Sequence, residues 1–121
     1  MAKILVAEDD DSMRQFLAMA LRRAGHEALV CEDGEKAYAI LQQKGDYDLL
    51  LADIVMPGMD GIELSQKATA LHPKLKVMFI TGFAAVAMGE RNPAHNTAHV
   101  LSKPFHLKDL VDQVERLLAA A

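Results

Sequence analysis

Carboxylates gather at two places in this chain, and both could do chemistry. Glu8-Asp9-Asp10-Asp11 is an unbroken acidic run, and Asp53 ends the apolar run Leu49-Leu50-Leu51-Ala52 just before Ile54-Val55-Met56-Pro57-Gly58. Oxygen donors of this kind suit a hard divalent cation such as Mg2+, which takes one or two carboxylates and keeps several waters. An Asp carboxylate can also act as a nucleophile toward phosphorus, provided that the phosphoryl oxygens are neutralised as it arrives. Two further residues could assist: Lys103, followed by Pro104-Phe105, by its charge, and Thr81, which ends Val77-Met78-Phe79-Ile80, by donating its hydroxyl. Each residue also has a plainer role. The acidic run can be a solvated turn with a helix cap, Asp53 a cap for the Pro-Gly turn, Lys103 a turn lysine and Thr81 an ordinary β-branched strand residue.

Whether these residues meet depends on the elements that carry them. The chain alternates β-type runs with helical periods, the pattern of an α/β domain. Strands are expected at Lys3 to Ala7, Glu27 to Cys31, the run ending in Asp53, Val77 to Thr81 and His99 to Ser102. The run before Asp53 is apolar without alternation, as in a strand covered on both faces, and it reads as a buried strand ending in an exposed acid.

Helices are expected between the strands. The first starts near Ser12 with Asp11 as N-cap, buries Phe16, Leu17, Ala20 and Leu21, and stops at Gly25. Asp33 caps a second over Ala37, Ile40 and Leu41, with Tyr38 half-buried and Gly45 at its end. Asp60 caps a third over Ile62, Leu64, Ala68 and Leu71, which Pro73 terminates. Residues 82–98 hold Gly89, Asn92, Pro93 and Asn96, so a short or frayed fourth helix is expected there. The last helix runs from Leu107 with Leu110, Val111, Val114, Leu117 and Leu118 on one face. Five parallel strands with such crossovers predict a flavodoxin-like (βα)5 three-layer sandwich with strand order 2-1-3-4-5. That order places Glu8, Asp9, Asp53, Thr81 and Lys103 on one rim.

Composition sets further bounds. The chain has 121 residues, 51% of them hydrophobic and 25% charged, enough for one domain and one core with no separate output domain expected. Its formal charge is -4 and no basic run occurs, which argues against nucleic acid as a direct partner. No signal peptide or membrane span is apparent, so a cytoplasmic protein without membrane insertion is expected. Cys31 is alone and lies in an apolar run, as a structural thiol would. His95 and His99 are four apart, but Pro93 and Asn96 oppose the helix that would let them share a metal. Met56 and Met59, beside the Asp53 turn, read as gap-fillers.

Taken together, Glu8-Asp9-Asp10, the stretch Asp53 to Gly61, Thr81-Gly82 and Lys103-Pro104-Phe105 make the whole chain resemble a response-regulator receiver domain of the CheY-like kind. The resemblance implies that Asp53 is the phosphoacceptor and that Asp9 binds Mg2+ directly, with Glu8 acting through water and the backbone carbonyl of Val55 completing the protein ligands. It implies Thr81 and Lys103 as the phosphoryl-sensing pair, and a phosphohistidine on a sensor histidine kinase or a histidine phosphotransfer protein as the donor. The chain would then be a switch in a two-component phosphorelay, not an enzyme, whose output is binding to a downstream protein. Single-domain receivers of this sort include CpdR-type regulators that prime a AAA+ protease for substrate delivery, and phosphorelay intermediates. A pseudo-receiver that binds without phosphorylation is a further alternative.

Four positions depart from the usual pattern. Glu8 stands where the family usually has Asp, and its longer arm still reaches a water-mediated contact. Val100 stands where many receivers carry an aromatic ring that turns inward, so signalling is expected to run through residues 82–98 instead. Val55 and Phe83 are apolar where polar side chains could position an attacking water, which predicts slow autodephosphorylation. Two other classes fit poorly. A haloacid-dehalogenase-type phosphatase needs a second acid where Val55 stands, and a flavodoxin-like FMN carrier needs a phosphate loop where the chain is acidic.

Overall fold

The computed structural model describes residues 2–81, 99–102 and 105–120, with the backbone alone at 81, 99 and 102. Five strands occur at Lys3–Ala7 (β1), Glu27–Cys31 (β2), Leu49–Asp53 (β3), Lys76–Thr81 (β4) and His99–Ser102 (β5). The described helices are Asp11–Arg23 (α1), Gly34–Gln43 (α2), Gly61–Leu71 (α3) and Leu107–Ala119 (α4). All strand pairs are parallel and the order is β2-β1-β3-β4-β5, as the alternating pattern predicts. The helix expected within residues 82–98, Phe83, His95 and the Lys103-Pro104 turn lie outside the described residues.

Alternation within the strands divides the interior in two. Leu5 and Ala7 of β1, Leu50 and Ala52 of β3 and Phe79 of β4 pack against Ala37 and Leu41 of α2 and Leu64 and Ala68 of α3. Ile4 and Val6, Leu49 and Leu51, and Met78 and Ile80 face the other way, onto Leu17, Ala20 and Leu21 of α1 and Leu110, Val114 and Leu117 of α4. Every residue of β3 is buried, which is why its first four positions are apolar without interruption. Val100 is half-buried, lies in register with Phe79 and packs on the α2–α3 side.

Local chemistry sets the helix boundaries. Asp33 and Asp60 cap α2 and α3 by accepting from the backbone N–H groups of Lys36 and Glu63, both at 2.8 Å. α1 begins one residue earlier than its sequence suggests. Asp10, not Asp11, is the N-cap, accepting from Met13 N–H at 2.7 Å, and Asp11 becomes the first helical residue. In a run of four acids several residues can cap, and the one whose oxygen reaches the third amide ahead takes the role. Asp11 then sits where the helix N-terminus favours a negative charge. Beyond Ala24, Gly25 takes a φ of 98° and donates to Arg22 O at 3.0 Å, closing the helix with a left-handed residue. At the far end of α4, Lys76 Nζ donates to the carbonyls of Leu117 at 2.8 Å and Leu118 at 3.2 Å, and also to that of Ala120.

Candidate functional site

Two strand ends deliver the acids. Glu8 follows directly on β1, and its N–H donates to Cys31 O at 3.1 Å, so the β1–β2 ladder extends to the first acid. Asp53 is the last residue of β3, in register with Ile80, and the next residue still donates from Ile54 N–H to Ile80 O at 3.0 Å. Because β1 and β3 are neighbours, the two ends bring carboxylate oxygens of Glu8, Asp9 and Asp53 within 4.8 Å of one another. This is the carboxyl edge of the sheet, where open α/β folds place their ligands.

Burial differs from the exposed acid that the sequence predicts at the end of β3. Asp53 is only 5% exposed and Glu8 is fully buried, while Asp9 is open to solvent. The turn after β3 is partly buried as well. Ile54, Met56 and Met59 are themselves buried in the α2–α3 packing layer, so the two methionines fill space as expected. The start of α3 presses against the end of β3, with Gly61 N–H donating to Ile54 O at 2.9 Å. A Cβ at Gly61 would lie 2.3 Å from the Asp53 carbonyl oxygen, so only glycine allows this approach. Asp53 Oδ1 accepts from Val55 N–H at 3.1 Å, which orients the carboxylate, and the Val55 side chain is 55% exposed beside it.

The acidic loop is equally ordered. Glu8 Oε2 accepts from Asp10 N–H at 3.2 Å, and Arg14 Nη1 donates to the Glu8 carbonyl at 2.9 Å. Arg14 Nη2 also donates to the Asp11 carboxylate. Arg14 is a site residue not expected from the sequence. Its spacing of three residues from Asp11 on a helix was the available signal.

Three carboxylates this close repel one another, and a hard divalent cation between them removes that repulsion. The donor set fits such an ion. Two oxygens can bind directly, and a third within 4.8 Å can bind through water, in keeping with an octahedral ion that retains part of its hydration. Thr81 ends β4 opposite Ser102 of β5, placing its backbone on the same edge. Its side chain, and Lys103 altogether, lie outside the described residues.

Other features of the fold do not compete. Cys31, whose carbonyl pairs with Glu8, has its thiol pushed up to about 12 by burial and donates it to Val6 O at 3.3 Å, so it is no nucleophile at neutral pH. A cavity of about 870 Å³ opens at the amino-terminal ends of β1, β3 and β4, the edge of the sheet opposite Asp53, near His26, His72 and Glu115. Among the described residues no helix is long and apolar enough to cross a membrane.

Comparison with known proteins agrees with this fold. The family model described as "Response regulator receiver domain" matches residues 4–115. A Brucella abortus (strain 2308) protein named "Response regulator receiver protein CpdR" is 54% identical over 121 residues, covering 100% of both chains. "Sensor kinase CckA" of the same organism is 34% identical over 118 residues, which is 97% of this chain and 12% of the kinase. Among solved structures, Vibrio cholerae chemotaxis protein CheY4 superposes with a TM-score of 0.86 at 27% identity, covering 97% of this chain and 98% of that one. The receiver domain of hybrid histidine kinase CckA gives 0.78 at 36% identity, covering 96% and 98%.

Proposed function

The chain belongs to the response-regulator receiver family, and from that premise we propose that it is a stand-alone switch whose state is set by phosphorylation of Asp53. The observation that carries this reading is the convergence of Glu8, Asp9 and Asp53 at the ends of two adjacent strands. In the proposed step an Asp53 carboxylate oxygen attacks the phosphorus of a phosphohistidine. A P–O bond forms, the P–N bond breaks, and the electron pair leaves with the imidazole nitrogen. Asp53 Oδ1 is already held by Val55 N–H, so the carboxylate meets the donor in a fixed orientation. Asp9 and Asp53 would hold Mg2+, with Glu8 bound through water and the Val55 carbonyl as the remaining protein ligand. Bound there, the ion neutralises charge that builds up on the phosphoryl oxygens. Lys103 pairs with a second oxygen and Thr81 donates its hydroxyl to a third. The chain is then a phosphoacceptor and not a catalyst for a separate substrate.

We assign the donor as a sensor histidine kinase or a histidine phosphotransfer protein, and the output as a change in binding to another protein in the cytoplasm. The likeness to CpdR along its whole length supports an output of the CpdR kind, priming of a AAA+ protease for substrate delivery. A second reading, a relay step that passes the phosphoryl group onward, is supported by the likeness to the receiver domain of CckA.

Incubation with a small acyl phosphate and Mg2+, followed by intact mass measurement, tests the switch itself. The wild-type chain should gain one phosphoryl group that hydroxylamine removes, and Asp53→Asn should gain none. Labelling that ignores Mg2+, or that persists in Asp53→Asn, refutes the assignment. With exposed Val55 unable to position water, the label should also decay slowly, and Val55→Asn should shorten its lifetime.

A further inference from the structure

Arg14 touches neither Asp9 nor Asp53 in any described bond, yet it closes the loop that carries Asp9. The side chain is 16% exposed. One end of its guanidinium donates to the Glu8 carbonyl at 2.9 Å and the other to the Asp11 carboxylate, so a single planar group spans the acidic run from its first residue to its last. Three further bonds anchor that span. Glu8 N–H donates to Cys31 O, Asp10 N–H donates to Glu8 Oε2, and Met13 N–H donates to Asp10 Oδ2. The helix adds Arg14 N–H to Asp10 O at 2.8 Å, tying Arg14 back to the loop through its own backbone. Of the four acids, Asp9 alone contributes no atom to this network, and Asp9 is the solvent-open member of the carboxylate cluster.

We propose that Arg14 is a positioning residue for the cation site: its fork fixes the loop backbone so that the Asp9 carboxylate faces Asp53 before any ion arrives. The inference rests on the reading of Glu8, Asp9 and Asp53 as that site. Mutual repulsion among four neighbouring carboxylates would otherwise splay the loop, and each ion bound would have to draw it together again. Supports of this outer kind typically change metal affinity about 10- to 100-fold when removed. The plain alternative is that Arg14 is only a nearby positive charge. The two accounts differ in sign, because a bystander cation repels the ion and its removal would tighten binding.

The chain contains no tryptophan, so Mg2+ affinity is best read by calorimetric titration of the full chain. The variants are Arg14→Lys, which keeps the charge but loses the fork, and Arg14→Gln, which loses both. Both should bind Mg2+ at least about ten-fold more weakly than wild type. Acyl phosphate labelling at saturating Mg2+ should return to the wild-type rate, with only the half-saturating Mg2+ concentration raised. A purely structural role would lower the ion-free melting temperature and leave the affinity unchanged. Unchanged affinity in both variants overturns the proposal, as does tighter binding in Arg14→Gln with none lost in Arg14→Lys. If the wild-type chain binds no Mg2+, the reading of the carboxylate cluster is what falls. Arg14→Lys retains a cation at the loop, which guards the test against a variant that does not fold.

Discussion

Gly61→Ala is the sharpest single test of how the fold holds Asp53. The added methyl would stand 2.3 Å from the Asp53 carbonyl oxygen, about 1.1 Å short of the 3.4 Å at which ordinary contact begins. It would also lie 2.9 Å from both the Asp53 carbonyl carbon and Ile54 Cα. All three are backbone atoms, so no side chain can swing aside, and either the start of α3 or the end of β3 must move. Overpacking of this kind costs about 1–3 kcal/mol. A shift also weakens the bond from Gly61 N–H to Ile54 O, worth about 1 kcal/mol. Alanine returns at most about 1 kcal/mol in helix propensity, less at a first helical position. The net loss is about 2 kcal/mol, which lowers the melting temperature by roughly 8 °C for a domain of this size. Gly45→Ala is the comparison, because its methyl would meet the His72 ring at 2.5 Å and a side chain can yield. Thermal unfolding followed by circular dichroism should therefore rank wild type above Gly45→Ala and Gly45→Ala above Gly61→Ala. A Gly61→Ala protein that melts with or above wild type would show that the approach of α3 to Asp53 is looser than described.

Asp60→Ala removes the α3 cap and should cost about 1 kcal/mol in urea unfolding, with Asp60→Asn largely preserving stability. The Cys31 thiol, pushed up to about 12 from 9.0, is held neutral by the fold while the unfolded chain ionises it. Its contribution is constant below pH 9 and declines at about 1.4 kcal/mol per pH unit as pH rises above 9 toward 12. Stability measured at pH 8 and pH 10 should therefore fall more in wild type than in Cys31→Ala. Lys76→Met strips the donor from the carbonyls of Leu117 and Leu118 and should cost about 1 kcal/mol, with faster amide exchange over residues 117–120. Unchanged exchange there would show that the last turn of α4 does not depend on Lys76.

β1, β3 and β4 were legible because their apolar runs report burial directly, and the strand order followed from the βα alternation with right-handed crossovers. The five residues of β3 have no polar position among them until Asp53, and all five prove buried. Caps at Asp33 and Asp60 were legible because each is an Asp directly before a glycine, three residues ahead of the N–H it accepts from. The choice between Asp10 and Asp11 was not, since adjacent acids offer the same chemistry and only backbone geometry separates them. The acids of the site could be named but not their depth. Whether Asp53 is open or covered depends on contacts made through space, such as the approach of Gly61 from α3. Arg14 was missed for a related reason, because its main partner at Glu8 is a carbonyl, which every residue carries.

The two packing layers are separated by the sheet, and β3 contributes Leu50 and Ala52 to one and Leu49 and Leu51 to the other. Mechanically the sheet is a party wall between two rooms, with Asp53 at its edge. Substitutions on opposite sides, such as Leu64→Ala and Val114→Ala, share no side-chain neighbour within either layer and should lower stability additively. A disturbance at Asp53 has a doorway into both rooms, through Ile54 and the turn on one side and Ile80 on the other. A partner gripping the α1–α4 face and one gripping the α2–α3 face could therefore sense the same carboxylate while remaining nearly deaf to each other.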